Sequence, residues 1–191
     1  MEKDRQRWDR KYRGEAFDES REPNPFLKEH MRIRGTGLAL DLACGEGGNA
    51  VFLAQQGWKT DAVDISPVGL RKARKLAREA GIKINFIQAD LDFYRIPKGK
   101  YDLISVFYFW DRRLLPRIKS GLKKGGKILF ETYTLETLLR GLEGPREAKY
   151  LLKANELLDL FRDFRVLFYR EGIFREAGRR KALASLIAEK L

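Results

Sequence analysis

Short apolar runs alternate with amphipathic segments along most of the chain. Runs of strand-forming residues predict five strands, at 37–43, 58–64, 84–89, 101–107 and 127–132. Apolar positions at helical spacing predict helices at 50–56, 67–80, 112–122 and 155–162. The last two apolar runs, at 164–170 and 182–189, predict an antiparallel pair of strands. A long connection at 171–180 is predicted to join them. Strand and helix in alternation predict an α/β fold, a mostly parallel sheet with helices on both faces.

The N-terminal segment differs from the rest of the chain. Residues 1–34 are highly charged and carry Trp8 and Tyr12 at the i, i+4 spacing of a helix. We expect this segment to form a helix and a loop that cover the site. Residues 35–191 are then expected to form one ligand-binding domain.

Acidic residues stand where the first three predicted strands end. Asp41 lies at the end of the first strand, Asp64 at the end of the second and Asp90 at the end of the third. In an open parallel sheet, ligands bind outside the carboxyl ends of the strands. These three carboxylates are therefore candidate ligand-binding groups in a chain whose formal net charge is +12.

A glycine-rich turn follows the first strand. Residues 45–50, Gly-Glu-Gly-Gly-Asn-Ala, fit the pattern G-x-G-x-x-A, and Asp64 stands about twenty residues further on. This pattern alone allows NAD, FAD or S-adenosylmethionine as the ligand. The alternative is a tight strand-to-helix turn that binds nothing, although three glycines in such a turn carry an entropic cost.

Charge distinguishes the candidate ligands. A dinucleotide would place its pyrophosphate over the turn, against the negative charges of Asp41 and Glu46. S-adenosylmethionine would instead bring an ammonium group that Asp41 attracts. Asp64 would bind the ribose hydroxyls, Asp90 would accept from the adenine amino group, and Leu91 would lie against the adenine ring.

Catalytic patterns of dehydrogenases are poorly matched. The chain has one Tyr-x-x-x-Lys match, from Tyr94 to Lys98. Because Pro97 interrupts it, we do not expect the two side chains to share one face of a helix. We expect no second domain that could hold a substrate for hydride transfer. An NAD-binding oxidoreductase thus stays a remote alternative.

The chain resembles the class I S-adenosylmethionine-dependent methyltransferases. The similar segments are the glycine turn with its strand, the second and third strand ends, the fourth strand and the turn before the fifth: 40–50, 62–67, 88–91, 101–105 and 124–127. The Asn after the glycines is similar to the small tellurite-resistance and thiopurine-type branch. Ala43 departs from the motif, which usually has its first glycine there.

The resemblance implies a seven-stranded, Rossmann-like sheet in the order 3-2-1-4-5-7-6, with the last strand antiparallel. It also implies a set of residues that bind S-adenosylmethionine beside the three carboxylates and Leu91: Ala43, Gly45, Gly47, Asn49, Ile65 and Phe107. By the same resemblance, the segment with Trp8 and Tyr12 closes over the methionine end of the cofactor. The alternative is an ordinary amphipathic helix that covers the sheet.

Methyl transfer depends mainly on an in-line arrangement of the nucleophile and the methyl group. A base is needed only when the nucleophile arrives protonated, and the candidates are Tyr108, Asp111 and Tyr133. For each of them, packing or surface solvation is the alternative. No histidine and cysteine cluster has metal-ligand spacing, so no metal site is expected.

The aromatic end of the fourth strand favours a small, soft or planar methyl acceptor. The chain lacks the (Asp/Asn)-Pro-Pro-(Tyr/Phe) motif of adenine N6 methyltransferases after that strand. The net charge of +12 keeps RNA or another nucleic acid open as an alternative acceptor. A cofactor-binding scaffold without catalysis is a third possibility.

Composition indicates where the protein works. Charged residues make up 35% of the chain, while Asn and Gln together number eight, a balance typical of thermophile proteins. A single cysteine and the lack of an apolar run long enough to cross a bilayer favour the cytoplasm. We expect a monomer or a homodimer.

Overall fold

Seven strands form one mixed sheet in the order β3-β2-β1-β4-β5-β7-β6. The structure is a computed structural model that describes residues 2–14, 21–30, 36–176 and 178–191. The strands are β1 (Leu38–Leu42), β2 (Lys59–Asp64), β3 (Asn85–Gln88), β4 (Tyr101–Phe107), β5 (Leu122–Tyr133), β6 (Phe164–Glu176) and β7 (Arg179–Lys190). Neighbours among β1 to β5 are parallel, whereas β7 is antiparallel to both β5 and β6. The implied Rossmann-like sheet is confirmed.

The helices of the described residues follow the predicted alternation. They are α1 (Glu2–Arg13), α2 (Pro25–His30), α3 (Gly48–Gln55), α4 (Pro67–Glu79), α5 (Leu115–Gly121), α6 (Glu136–Leu139) and α7 (Glu156–Leu160). The short helices α2 and α6 were not predicted. The predicted boundary between residues 34 and 35 lies outside the described residues. None of the described helices is long and apolar enough to cross a membrane.

The prediction of a long connection at 171–180 is wrong. β6 continues to Glu176 and β7 begins at Arg179, so the two strands form a long hairpin. Gly178 has a φ of 78°, in the left-handed region that favours glycine at a tight turn. The charged residues of 171–180, which suggested a loop, stand instead on strands at the edge of the sheet, where one face can meet water.

Two apolar layers cover the two faces of the sheet. Leu40 and Leu42 of β1 point into a core that α5 and α7 complete. Ala39, on the alternate face, packs with Leu53 of α3 and Phe26 of α2. Helices thus lie on both faces, as predicted. Because side chains alternate along a strand, Asp41 shares the face of Ala39 and is directed toward α3.

A buried carboxylate ties the central strands together. Asp61 of β2 accepts hydrogen bonds from the Tyr101 hydroxyl, Lys100 Nζ and Asn85 Nδ2, each at 2.9 Å. Burial by itself raises the pKa of Asp61, but these three donors outweigh it and hold the pKa below its usual value.

We expect Asp61→Ala to lower the free energy of unfolding by about 2 to 3 kcal/mol at neutral pH, because it leaves the buried Tyr101 hydroxyl without its acceptor. Since the pKa of Asp61 is lowered in the folded state, the difference in free energy of unfolding between the wild type and the variant should be full above about pH 5. It should shrink as the pH falls through the folded-state pKa of Asp61. Urea unfolding at several pH values measures both effects.

The matched control is Asp163→Ala. Asp163 also pairs with a lysine, Lys119, but its side chain is 60% exposed. An exposed ion pair contributes little, so this change should cost less than about 1 kcal/mol. Equal losses in the two variants would contradict the role given to Asp61.

Candidate cofactor and acceptor site

The turn between β1 and α3 is held in an unusual backbone conformation. Ala43, Gly45 and Gly47 have φ values of 56°, 54° and 89°. Ala43 therefore occupies a left-handed position that a glycine would occupy without strain, which is where the sequence departs from the motif. A Cβ on Gly47 would lie 2.7 Å from the Cβ of Ala73, so glycine permits α3 to begin close against α4.

Helix α1 covers this turn. A Cβ on Gly45 would lie 2.8 Å from the Tyr12 hydroxyl oxygen, and one on Gly69 would lie 3.1 Å from the Tyr12 ring. Asp9 of the same helix accepts a hydrogen bond from the hydroxyl of Ser66, the residue that caps α4. Tyr12 is 5% exposed. Trp8 stacks on Tyr12 with a centroid distance of 5.7 Å.

Asp41 is a buried carboxylate with one unused oxygen. Its side chain is 1% exposed, and Oδ1 accepts a hydrogen bond from Ser105 Oγ at 2.7 Å. Oδ2 has no hydrogen-bond partner among the described residues. Burial raises the pKa of Asp41 to about 7, against the lowering effects of the Ser105 hydroxyl and the Ala50 backbone amide. A cation placed at this oxygen would satisfy it and favour its ionised form.

Asp64 holds the glycine turn and the start of α4. Its Oδ2 accepts from the Gly45 amide and its Oδ1 from the Ser66 amide, both at 2.8 Å. Burial raises the pKa of Asp64 to about 6 despite these bonds. Each carboxylate oxygen has a second lone pair, so both remain able to accept from a ligand hydroxyl.

Glu46 changes the charge argument made from the sequence. Its Oε1 lies 2.7 Å from Lys72 Nζ on α4, and this ion pair compensates its negative charge within the turn. Asp41 forms no ion pair with a cation of the described residues. Of the two carboxylates that argue against a pyrophosphate at the turn, Asp41 is therefore the one without a compensating cation among the described residues.

The other predicted cofactor residues lie around the same sheet edge. Asp90 is partly exposed, and its Oδ1 accepts from the Asp92 amide at 2.9 Å. Leu91 is buried next to it, while Ile65 is partly exposed after β2. Phe107 packs in the core layer with Leu53 and Leu103, so its side chain is part of the interior.

Asn49 connects the turn to the N-terminal segment. Its Oδ1 accepts from the backbone amide of Asn24 at 2.8 Å. The Asn24 side chain donates in turn to Glu131 Oε1 at 2.8 Å, and Glu131 Oε2 accepts from Ser185 Oγ at 2.6 Å. A Cβ on Gly48 would lie 2.6 Å from the Glu22 carbonyl oxygen, which shows how closely this segment crosses the turn.

The three candidate bases do not lie in one cluster. Tyr108 and Tyr133 are neighbours, with ring centroids 5.4 Å apart. Asp111 instead accepts from the Arg113 amide at 2.9 Å and forms an ion pair with the Arg113 side chain at 2.8 Å. Burial would raise the pKa of Asp111, but the bonds from Arg113 lower it overall, which makes this carboxylate a weaker base.

Glu176 and Lys181 complete the tyrosine cluster, and the sequence analysis missed both. The Tyr108 hydroxyl donates to Glu176 Oε2 at 2.6 Å, and Lys181 Nζ lies 3.4 Å from the same oxygen. Glu176 stands where the sequence predicted a connection, and Lys181 lies just before the predicted strand at 182–189. The inward direction of both side chains depended on strands that were not predicted there. The apolar pair Ile173 and Phe174 inside this charged stretch was the available signal.

Comparisons with known proteins agree with the fold and the turn. Residues 39–126 match a methyltransferase domain family. The chain is 25% identical over 158 residues to a ubiquinone biosynthesis O-methyltransferase of Cronobacter sakazakii, covering 71% of this chain and 65% of that protein. It is 32% identical over 99 residues to the ribosomal protein L11 methyltransferase of Thermus thermophilus, covering 51% and 39%. The chain thus spans less than two thirds of either relative.

Solved structures show the same fold. TehB of Haemophilus influenzae superposes with a TM-score of 0.71 at 20% identity, covering 96% of this chain and 66% of that one. An S-adenosylmethionine-dependent methyltransferase of Methanosarcina mazei superposes with a TM-score of 0.70 at 18% identity, covering 89% and 99%. The domain match, the sheet order and the glycine turn are similar to those of the class I methyltransferases, a family whose methyl donor is S-adenosylmethionine.

Proposed function

We propose that this protein transfers the methyl group of S-adenosylmethionine to a small-molecule acceptor. The observation that carries the proposal is the buried, unused oxygen of Asp41 beneath the glycine turn, an oxygen without a partner in the described part of the chain. A buried carboxylate in this state is costly unless a cationic ligand completes it. The ammonium group of the cofactor is such a ligand.

The surrounding residues fit the rest of the cofactor. The lone pairs that Asp64 keeps are suited to the two ribose hydroxyls, and Asp90 and Leu91 are suited to the adenine. Tyr12 and Trp8 of α1 would lie over the methionine end, because Tyr12 already packs against Gly45. When bound, the cofactor supplies an electrophilic methyl group on a sulfonium. The chain's own residues hold that group, cover it and orient the acceptor.

Two observations support a small acceptor. Helix α1 lies over the turn and is fixed there by Asp9, so the cofactor side of the site is covered. The acceptor side, at the end of β4, is lined by the neighbouring rings of Tyr108 and Tyr133. The relative from Cronobacter sakazakii is named an O-methyltransferase of ubiquinone biosynthesis, and that name supports an oxygen acceptor on a small molecule.

We expect Asp41→Asn to weaken binding of S-adenosylhomocysteine at least about tenfold, because a hydrogen bond to a charged group contributes about 1.5 to 3 kcal/mol. Asparagine keeps the size of the side chain and removes its charge. Isothermal calorimetry measures the affinity. The control Asp163→Asn makes the same change at a surface ion pair and should bind like the wild type; unchanged affinity in Asp41→Asn would exclude the ammonium assignment.

Binding should also release protons. The pKa of Asp41 is about 7, so at about pH 6.5 the carboxyl group is mostly protonated and must ionise to bind an ammonium. We expect Asp41 to release roughly 0.7 protons per bound S-adenosylhomocysteine at that pH, falling toward zero at about pH 8.5. Calorimetry in buffers of different ionisation enthalpy counts these protons.

In the Asp41→Asn variant most of this proton release should disappear, leaving the smaller contribution of Asp64, whose pKa is about 6. A wild-type binding enthalpy that is the same in every buffer at this pH would show that Asp41 is already ionised, or does not meet the ligand.

Nucleic acid is the second candidate acceptor, and one observation favours it. Helices α1 and α4 pack together beside the glycine turn, and both present exposed cations to solvent. These exposed cations include Lys3, Arg10, Arg13, Arg71, Arg74 and Arg78. Such a surface could bind phosphates, with an affinity that falls steeply as salt rises.

We expect this surface to give only weak, sequence-independent retention on RNA, lost at physiological salt. Filter binding of a labelled RNA over a range of salt concentrations measures it, with Arg71→Ala and Arg78→Ala combined as the variant. Retention that survives physiological salt and is lost in this variant would favour nucleic acid over a small acceptor.

A further inference from the structure

Four side chains form a compact polar and aromatic cluster at the acceptor side. Tyr108 has a φ of 55°, a strained conformation that directs its ring toward the β6–β7 hairpin. Its ring lies 5.4 Å from that of Tyr133, and Lys181 Nζ lies 4.8 Å from the Tyr108 ring centroid. Glu176, on β6, accepts a hydrogen bond from the Tyr108 hydroxyl. The tyrosines are partly exposed, whereas Glu176 and Lys181 are buried beneath them.

The carboxylate of Glu176 is used on one side only. The Tyr108 hydroxyl and Lys181 Nζ both approach Oε2, at 2.6 and 3.4 Å. Oε1 is buried and has no hydrogen-bond partner within the described ranges, in a side chain that is only 7% exposed. A buried, charged oxygen without a donor carries a desolvation cost, so its presence points to a ligand that supplies the donor.

The cluster stands next to the predicted methyl donor. Tyr108 follows Phe107, the last residue of β4, and Val106 of β4 pairs with Leu42, the last residue of β1 before the glycine turn. Tyr108 and the glycine turn therefore follow adjacent strands at the same carboxyl edge of the sheet. An acceptor between the tyrosine rings would be close to a cofactor held at the turn.

We infer that Glu176 is the base of the reaction: its Oε1 accepts a hydrogen bond from the hydroxyl of a planar, phenol-like acceptor and then takes the hydroxyl proton. The acceptor oxygen forms a bond to the methyl carbon as the bond from that carbon to sulfur breaks. A methyl ether, a neutral Glu176 carboxyl group and a thioether result, so charge and atoms balance. This inference rests on the proposed function.

The other candidate bases are less suited to the step. Burial raises the pKa of Tyr108 far above its ordinary value, so its hydroxyl stays protonated and donates to Glu176. Both carboxylate oxygens of Asp111 accept from Arg113, whereas Glu176 keeps Oε1 open. Tyr108 is instead a wall of the acceptor site and a positioning residue, because its hydrogen bond fixes which oxygen of Glu176 stays open.

The test compares phenol with anisole, the methyl ether that methylation of phenol would give. Both are titrated by calorimetry into protein saturated with S-adenosylhomocysteine. The two probes have the same ring, but only phenol carries the proton that Glu176 would accept. We expect phenol to bind at least about tenfold more tightly than anisole, the factor that a hydrogen bond to a carboxylate provides.

Glu176→Gln should reduce that preference to less than about threefold, since a neutral amide oxygen is a weaker acceptor than a carboxylate. The control is Glu171→Gln, the same change on the same strand. Glu171 accepts from the Tyr169 hydroxyl and the Asn155 amide, away from the tyrosine cluster, so the preference for phenol should persist. Binding of S-adenosylhomocysteine should be unchanged in both variants.

The outcomes separate the two proposals. Normal binding of S-adenosylhomocysteine with equal or no binding of phenol and anisole to the wild type would overturn the role of Glu176 alone. A preference for phenol that survives in Glu176→Gln would do the same. Failure of the wild type to bind S-adenosylhomocysteine would overturn the proposed function and this inference with it. The wild-type comparison stands even if Glu176→Gln does not fold.

Discussion

The site depends on the burial of the Asp41 carboxylate at the end of β1. Its side chain is 1% exposed, and one oxygen is satisfied by Ser105 while the other meets no donor in the described residues. Burial disfavours the charged form, so the group stays close to half protonated at neutral pH until a cation completes it. The same desolvation strengthens the attraction to an ammonium and the repulsion of a pyrophosphate.

The N-terminal segment connects the two halves of the site. At the cofactor side, Tyr12 packs over Gly45 and Asp9 holds the cap of α4. At the acceptor side, Asn24 donates to Glu131 at the end of β5. Under the proposed function, α1 would have to move or Tyr12 would have to change its conformation for the cofactor to enter. Covering a reactive methyl group in this way would also keep water from it.

Most of the sheet could be predicted from local sequence patterns, but the contacts between residues far apart in the sequence could not. The strand ends at Asp41 and Asp64 follow from neighbouring residues, since an apolar run leads directly into a polar turn. Glu176 meets Tyr108 across 68 residues, and Asn24 meets Glu131 across 107. The first contact depends on the register of the β6–β7 hairpin and the second on the path of the N-terminal segment across the sheet edge, and no local pattern determined either. The Lys72 partner of Glu46 likewise required the packing of α4 on the turn.

The most direct test of this account is a calorimetric titration of the wild-type protein with S-adenosylhomocysteine, with NAD titrated under identical conditions. The two ligands share an adenosine and differ in the charge that they bring to Asp41. Saturable one-to-one binding of S-adenosylhomocysteine and no binding of NAD is the predicted result. Binding of NAD alone would contradict the assignment of Asp41 and, with it, the proposed methyl transfer.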